Sequence, residues 1–457
     1  MTALWSADDL VEATGGVMTA PFAAGGVSID TRTLAAGDLF VALQGESRDG
    51  HAFVADALAR GAAGAMVTHP PAGMDRLLVV DDMLAALCRL GGFARARFGG
   101  RLLAVTGSVG KTTTKEMLRA ILADQGGTHA AEASYNNHWG LPLTLARLPA
   151  GADWCIVEIG MNHAGEIAPL ARLARPHVAL VTAVEKTHVG LLGSIEAIAD
   201  EKATVLQGLQ PGGVAVLPGD SPLLDRLRTH AGAARILTFG ATDAADGRLL
   251  TASAEAEGTE VTVDILGREL RFRLAAPGRH MAMNATAALL AAAALGADIA
   301  RGAAALAGFA PVAGRGARRR VRVPGGEALL LDESYNASGA AVRAALAVLA
   351  LQPVSRRIAV LGDMLELGEE GPAEHAALAA EVARCADLLF TCGPLMAGLQ
   401  AAVPPALRGG HAGDAVALGP LVAAALRPGD GVLVKGSLGS RMKWVVQALD
   451  ALAAEAN

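Results

Sequence analysis

The stretch LLAVTGSVGKTTTKEML, residues 102–118, constrains the fold more than any other part of the chain. The apolar run Leu102 to Val105 predicts a buried strand, and KEML predicts a helix that begins near Lys111. Between them Gly107, Ser108, Val109, Gly110, Lys111 and Thr112 form a G-x-x-G-K-T loop, with Thr113 next in line. Phosphate binding accounts for each residue type. Glycines permit backbone dihedrals that a side chain forbids, so successive N–H groups can face one centre. The helix that follows adds its positive N-terminal end. Lys111 brings a point charge to phosphate, and Thr112 offers a hydroxyl to Mg2+. An ordinary strand-to-helix turn would leave a lysine and three threonines at one helix start unexplained.

A chain of 457 residues is too long for one core, and roughly two to four domains are expected. Net charge is −6 with both signs spread along the chain, which gives no reason to invoke nucleic acid. Cys88, Cys155, Cys385 and Cys392 show no C-x-x-C spacing, so reduced thiols in a cytoplasmic protein are the economical expectation. The acidic start MTALWSADDLVEATGG lacks the basic and apolar regions of a signal peptide. The uncharged stretch Met281 to Ala297 is mostly alanine and carries Asn284 and Thr286. It falls short of a membrane span and predicts a packed helix, so no membrane insertion is expected.

Alternating strand and helix patterns divide the chain into three α/β units. Residues 1–81 form a small N-terminal unit. There Ser28, Asp30, Thr31 and Arg32 lie between apolar runs, and a solvated turn and an anion or sugar contact account for them equally well. Residues 82–312 hold the phosphate loop and a mainly parallel sheet, with an antiparallel ribbon inserted over 240–275. Residues 313–457 form a second, Rossmann-like α/β unit, entered through a basic run, Arg315 to Arg322, taken as partly an exposed linker. Ligands of such sheets sit at the carboxyl ends of the strands. Those ends carry Glu158, then Glu185, Lys186 and His188, then Asp332 and Glu333 before Tyr335 and Asn336, and finally Lys435 with Ser437.

A phosphate loop needs Mg2+, which prefers a few oxygen ligands plus water. Glu158, directly after the apolar Cys155-Ile156-Val157, is the best protein carboxylate for that role. His188 could be a second ligand, but on its own it reads rather as a solvent-exposed loop histidine. Lys202, in Asp200-Glu201-Lys202-Ala203, reads on its own as a helix-surface lysine in local ion pairs. Arg315, between two glycines, is a candidate for positive charge supplied from the third unit.

Several blocks together resemble the Mur ligase family: SIDTRTLAAGDLFVALQGESRDGHAF (28–53), TGSVGKTTTKEM (106–117), NNHWGLPLTL (136–145), EIGMNHAGEI (158–167), HVGLLGSIEAIADEK (188–202), GRHMAMNATAA (278–288), LLDESYNAS (330–338), LGDMLELG (361–368) and LVKGSLGSRM (433–442). They keep the family's order over nearly the whole chain. DESYNAS and LGDMLELG point to the member that adds D-alanyl-D-alanine.

The resemblance implies an ATP-dependent amide ligase with Mg2+ as cofactor. Its substrates would be UDP-N-acetylmuramoyl-tripeptide and D-alanyl-D-alanine, joined through an acyl phosphate in peptidoglycan synthesis. It implies three domains: one for the UDP sugar, with Ser28, Asp30, Thr31 and Arg32 in the matching block, one for ATP, and one for the dipeptide and part of the ATP site. It implies that Lys111, Glu158, His188 and Lys202 are catalytic. Thr112, Glu158, His188 and a carbamoylated Lys202 would serve the metal. His280, Asn284, Arg315 and the Asp332–Glu333 pair fall where the family contacts ATP, with the ribose partner open by one position. Asn136 and Asn137 match a block touching the muramoyl peptide, and Tyr335, Asn336, Lys435 and Ser437 lie near the dipeptide or the phosphates. A monomer is expected. Two positions depart from the family pattern, Met281 after His280 and Leu438-Gly439 after Ser437. The alternatives are a sister ligase adding a single amino acid, against which stands the lack of a D-N-P-R-like block, and a P-loop regulatory protein that makes no product.

Overall fold

Short apolar strands, buried on both faces by flanking helices, organise all three parts of the chain. The computed structural model describes residues 3–45, 48–132 and 134–455. Glu46 and Ser47, inside the 28–53 block, lie outside the described residues. Among the described residues the strands form three sheets, and the free cysteines Cys88, Cys155, Cys385 and Cys392 form no disulfide.

The first sheet holds β1 (Val17–Met18), β2 (Gly26–Ser28), β3 (Asp38–Val41), β4 (Gly64–Val67) and β5 (Leu77–Val79) in the order β1-β5-β4-β3-β2. All neighbours are parallel except β1 and β5. The helix Ala7–Thr14 starts on a Ser6–Asp9 capping box and stops at Gly15, whose φ of 68° a side chain would resist. Helix Met83–Arg97 adds Met83, Leu87, Leu90 and Ala94 to the core of this sheet, and Leu143 and Ala146 of helix Gly140–Ala146 join them. Two polar ties reinforce the junction: Trp5 Nε1 donates to the carbonyl of Ala146 at 2.9 Å, and Arg147 Nε to that of Val27 at 2.6 Å.

The second sheet runs β14-β13-β12-β11-β10-β9-β6-β8-β7. Its strands are β6 (Arg101–Thr106), β7 (Thr128–Ala130), β8 (Trp154–Glu158), β9 (Val178–Val181), β10 (Val214–Pro218), β11 (Arg235–Gly240), β12 (Gly247–Ala254), β13 (Thr259–Ile265) and β14 (Arg268–Leu274). The run β7 to β12 is parallel, and β12, β13 and β14 form the antiparallel ribbon expected over 240–275, extending the sheet at its edge. Strand β6 lies between β8 and β9, with Val105 level with both Glu158 and Leu180. That register brings the phosphate loop, Glu158 and the segment after β9 to one edge. The expected alanine-rich helix is Arg279–Leu295, and it buries eleven residues against this sheet and its neighbours.

The third sheet holds β15 (Ala317–Val323), β16 (Gly326–Glu333), β17 (Arg356–Gly362), β18 (Leu388–Cys392), β19 (Arg408–Ala412) and β20 (Asp430–Lys435), in the order β15-β16-β20-β17-β18-β19. The basic run expected as a linker is therefore an edge strand, antiparallel to β16 along its whole length. Val321 and Val323 face the core while Arg320 and Arg322 stay exposed, a two-residue alternation that the preceding arginines mask in the sequence. Positive charge on such an edge also discourages pairing with another chain. No helix among the described residues is long and apolar enough to cross a membrane.

Candidate active site

The phosphate loop is held by the end of β9. Thr182 Oγ1 donates to the carbonyl of Val109 at 2.6 Å, and the N–H of Ser108 to that of Ala183 at 2.7 Å. Gly107, at φ 143°, approaches so closely that an added Cβ would lie 2.0 Å from Thr182 Oγ1. Gly110, at φ 83°, opens the helix Lys111–Ala123 and lies against the amide of Asn284. Lys111 folds back over the loop, donating to the carbonyls of Gly107 at 2.6 Å and Ser108 at 3.3 Å. Burial pushes its amine down to about 8, opposed by the Glu158 charge and assisted by that of Arg315.

Glu158 closes β8 and is fully buried. One carboxylate oxygen accepts from Thr112 Oγ1 at 2.8 Å and the other from Asn136 Nδ2 at 2.8 Å. Asn136 is placed by the N–H of Gly160, which donates to its carbonyl at 2.8 Å. Asn137 accepts from the N–H of Gly140 at 2.9 Å and so starts the next helix.

Lys202 is not the surface lysine its local sequence suggests. It is 2% exposed, and the acids beside it face elsewhere. Glu201 accepts from the N–H groups of Gly165 at 2.8 Å and Ile167 at 2.9 Å, and Asp200 pairs with Arg226 at 2.5 Å. Burial, and then the Lys111 charge, hold the Lys202 amine well below the usual lysine range. His188 follows β9 at φ 65° and rests on the Glu366 carboxylate, which this ring holds below its usual range.

The third unit supplies the opposite wall. Arg315 stacks on the Tyr335 ring at 4.0 Å and donates to Ser134 Oγ at 3.1 Å, across the gap between units. Alternation along β16 separates the acidic pair. Glu333 faces the cavity and accepts from Lys435 Nζ at 3.1 Å. Asp332 turns away, with Gly314 N–H at 3.0 Å and the N–H and hydroxyl of Ser334 at 3.1 and 2.6 Å all donating to it. Lys435 also donates to the Asn336 carbonyl at 3.0 Å, and Ser437 Oγ accepts from Leu365 N–H at 2.9 Å. His280 is half-buried, and loss of solvent holds its ring below the usual histidine range.

These groups enclose one cavity of about 680 Å³, lined by the loop from Ser108 to Lys111, by Glu158, His188, Lys202, Asn284, Arg315 and Glu333, and by their neighbours. That is ample for a nucleotide with room beside it. Thr112 reaches it through Glu158. Ser28, Asp30, Thr31 and Arg32 do not line it. They run from the last residue of β2 into the turn after it, where Ser28 Oγ donates to the Asp30 carbonyl at 3.1 Å, and Arg32 lies 2.5 Å from the Asp30 carboxylate and holds it down to about 2. Glu185, expected at a strand end, lines the cavity, and Thr187, Glu166 and Glu366 line it with no role expected of them. Their presence depends on which loops meet, so the signal is tertiary. Asp49, His51 and His69 also stand close enough for a metal ion. His51, however, already has Asp49 at 2.7 Å on Nδ1 and the N–H of Thr68 at 3.0 Å on Nε2, leaving it no free lone pair.

Comparison with known proteins follows the same division. The Mur ligase family catalytic domain matches residues 24–85, the Mur ligase middle domain 105–292, and the Mur ligase glutamate ligase domain 318–438. The chain is 34% identical over 429 residues to the UDP-N-acetylmuramoyl-tripeptide–D-alanyl-D-alanine ligase of Escherichia coli (strain K12), with 93% of each covered. A crystal structure of MurF from Acinetobacter baumannii superposes with a TM-score of 0.85 at 28% identity, over 98% of this chain and 99% of that one. The MurF ligase of Thermotoga maritima, solved in complex with ADP, superposes with a TM-score of 0.78 at 26% identity, over 94% of this chain and 98% of that one.

Proposed function

This chain belongs to the Mur ligase family, and we propose that it is an ATP-dependent ligase joining D-alanyl-D-alanine to UDP-N-acetylmuramoyl-tripeptide. One observation carries the reading. The phosphate loop, the buried Glu158 carboxylate and the buried Lys202 amine meet in a cavity whose far wall is the third unit. A carboxylate is a poor electrophile, so it must be activated before an amine can displace anything from it. A terminal carboxylate oxygen of the tripeptide attacks the γ-phosphorus, the bond to the β-phosphate oxygen breaks, and ADP leaves. The dipeptide amine then attacks the acyl carbon, a tetrahedral intermediate forms, the carbon–oxygen bond breaks, and phosphate leaves as the nitrogen loses its proton.

The residues divide this work by position. Lys111 and the helix start behind it neutralise the γ-phosphate as it moves between oxygens. Arg315, fixed on Tyr335 and Ser134, brings a second charge from the third unit. Thr112 and Glu158 form an all-oxygen donor set, which fits Mg2+. His188 would offer a ring nitrogen to the same ion, and Lys202 an anionic oxygen once its amine has taken up carbon dioxide. When bound, the ion supplies charge neutralisation between phosphates and carboxylate. Asn136 and Asn137 guide the peptide, and the Ser28–Arg32 turn receives the UDP end. Leu365 and Leu438 leave apolar surface beside the cavity that suits the dipeptide methyls. These substrates put the enzyme in the cytoplasm, at a step of peptidoglycan synthesis.

The test is phosphate release from ATP with UDP-N-acetylmuramoyl-tripeptide, with and without D-alanyl-D-alanine. Steady release is expected only with the dipeptide. Release that ignores it, or accepts L-amino acids instead, would sink the assignment. The acidic pair offers a finer check. Asp332→Ala should lower folding stability by about 2–3 kcal/mol, because it leaves three donors without an acceptor. Glu333→Gln, which keeps an oxygen acceptor for Lys435 Nζ, should lower stability by less than Asp332→Ala does and raise KM for ATP by about tenfold, the charge-assisted part of a ribose contact. Urea unfolding and steady-state kinetics of both variants separate the roles, and the reverse pattern would exchange them.

A further inference from the structure

Two loops from different units meet at the cavity rim. After β9, the central unit presents residues 185–193. After β17, the third unit presents residues 365–374. Their contact is made by backbone as much as by side chains. The N–H of Gly190 donates to the Glu366 carbonyl at 2.9 Å, and an added Cβ on Gly190 would lie 2.8 Å from Gly368 N. Only glycines allow that approach. At this junction His188 Nδ1 rests against a carboxylate oxygen of Glu366. Both residues hold left-handed backbone conformations, φ 65° and 66°, which non-glycine residues seldom adopt. Each thus takes an unfavoured conformation and aims its side chain at the other across the unit boundary. Lys186, bound to Glu370 at 2.7 Å and Glu374 at 3.1 Å, adds exposed ion pairs at the same seam.

We propose that Glu366 is a positioning residue: paired with His188 Nδ1 where the third unit meets the central one, its carboxylate accepts from the Nδ1–H and leaves Nε2 as the ring's acceptor. Neutral imidazole has one donor and one acceptor nitrogen, and the partner of the first determines the role of the second. A histidine ligand oriented by a carboxylate is also the more basic one. The device makes a working His188 conditional on the contact between the two units. The inference rests on the ligase reading above and adds to it a residue of the third unit that acts through the central one.

Glu366→Gly is the informative variant, because glycine accepts φ 66° and the backbone bond to Gly190 survives. The full-length protein, labelled with 15N-histidine, reports the His188 tautomer, its signal assigned by loss in His188→Gln. In the parent the ring should be a single Nδ1–H tautomer. In Glu366→Gly it should become a mixture, with kcat lower by about 10–100-fold, KM for ATP little changed, and a higher Mg2+ concentration needed for half-maximal rate. Glu366→Gln, which keeps an oxygen acceptor, should restore much of both. Lys186→Ala removes the exposed pairs of the same seam and should leave the tautomer alone, changing kcat by no more than about fivefold. A Glu366→Gly protein with an unchanged His188 tautomer, or an unchanged kcat, would overturn the proposal. Failure of the ligase reading would look different: the parent itself would show no dipeptide-dependent turnover, while the tautomer measurement would still decide the contact.

Discussion

Lys202→Ala is expected to lose dipeptide-dependent ATP cleavage by at least about a thousandfold, and millimolar formate or acetate should return part of it. The reason lies in where the amine sits. Lys202 is 2% exposed, the Glu201 carboxylate beside it is engaged by the N–H groups of Gly165 and Ile167 and only partly offsets the burial, and Lys111 lies close enough to add like charge. Such burial disfavours the charged ammonium, and the neutral amine is the form that adds to carbon dioxide. The product carries the anionic oxygen that a cation between phosphates would need. A small carboxylate diffusing into the alanine variant would supply the same oxygen. An undiminished Lys202→Ala enzyme would end the carbamate idea.

The same burial has a consequence for stability. The folded-state pKa of Lys202 is lowered, so between that value and the unfolded value the unfolded chain binds more protons. Stability of the uncarbamoylated protein should therefore rise with pH through that window. The penalty is full below the folded value and gone above the unfolded one. Lys202→Met keeps the apolar stem and removes the amine. In degassed buffer near neutrality it should melt higher than the parent and lack that alkaline rise. Thermal unfolding across pH 6–10 would show a parent no less stable than Lys202→Met if the amine were in fact well solvated.

Lys111→Ala should reduce kcat/KM by about 10³–10⁴-fold, or about 4–5.5 kcal/mol of transition-state stabilisation. Its amine is the cation nearest the loop amides, donating to the Gly107 and Ser108 carbonyls until a phosphate replaces them. The fold should not notice the change, because the loop is held by Thr182 and Ser108. The pH dependence is diagnostic. Burial lowers the amine to about 8, so in alkaline solution without nucleotide it is largely neutral. A polyphosphate favours the charged form and draws the pKa back up. ATP binding at pH 9 should then take up a proton, visible as a buffer-dependent heat in titration calorimetry, and Lys111→Ala should abolish it. A less than tenfold kinetic effect, or equal proton uptake in the variant, would remove Lys111 from this role.

Much of the site was legible because strand ends are legible. An apolar run broken by a polar residue marks where a buried strand leaves the core, and in a parallel sheet that edge is where ligands bind. Glu158, His188, Glu333 and Lys435 all lie at or just after such breaks. The strand within the basic stretch was hidden because five arginines among the eight residues from Arg315 to Arg322 mask a two-residue alternation that shows only from Arg320 to Val323. Lys202 misled the reading for another reason. Its neighbours Asp200 and Glu201 look like partners in the sequence, yet one binds Arg226 and the other caps the helix Ile167–Ala174.

The sequence by itself determined the three α/β units, the phosphate loop and the residue types at each strand end, because these follow from local periodicity and from chemistry carried on single residues. Tertiary structure alone decided which of those residues are neighbours. It buried Lys202, turned Glu333 to the cavity and Asp332 away from it onto the Gly314 and Ser334 donors, and set Glu366 against His188 across a seam between two glycines. Burial and long-range contact arise from how whole sheets and helices pack, and no window of the chain contains that information.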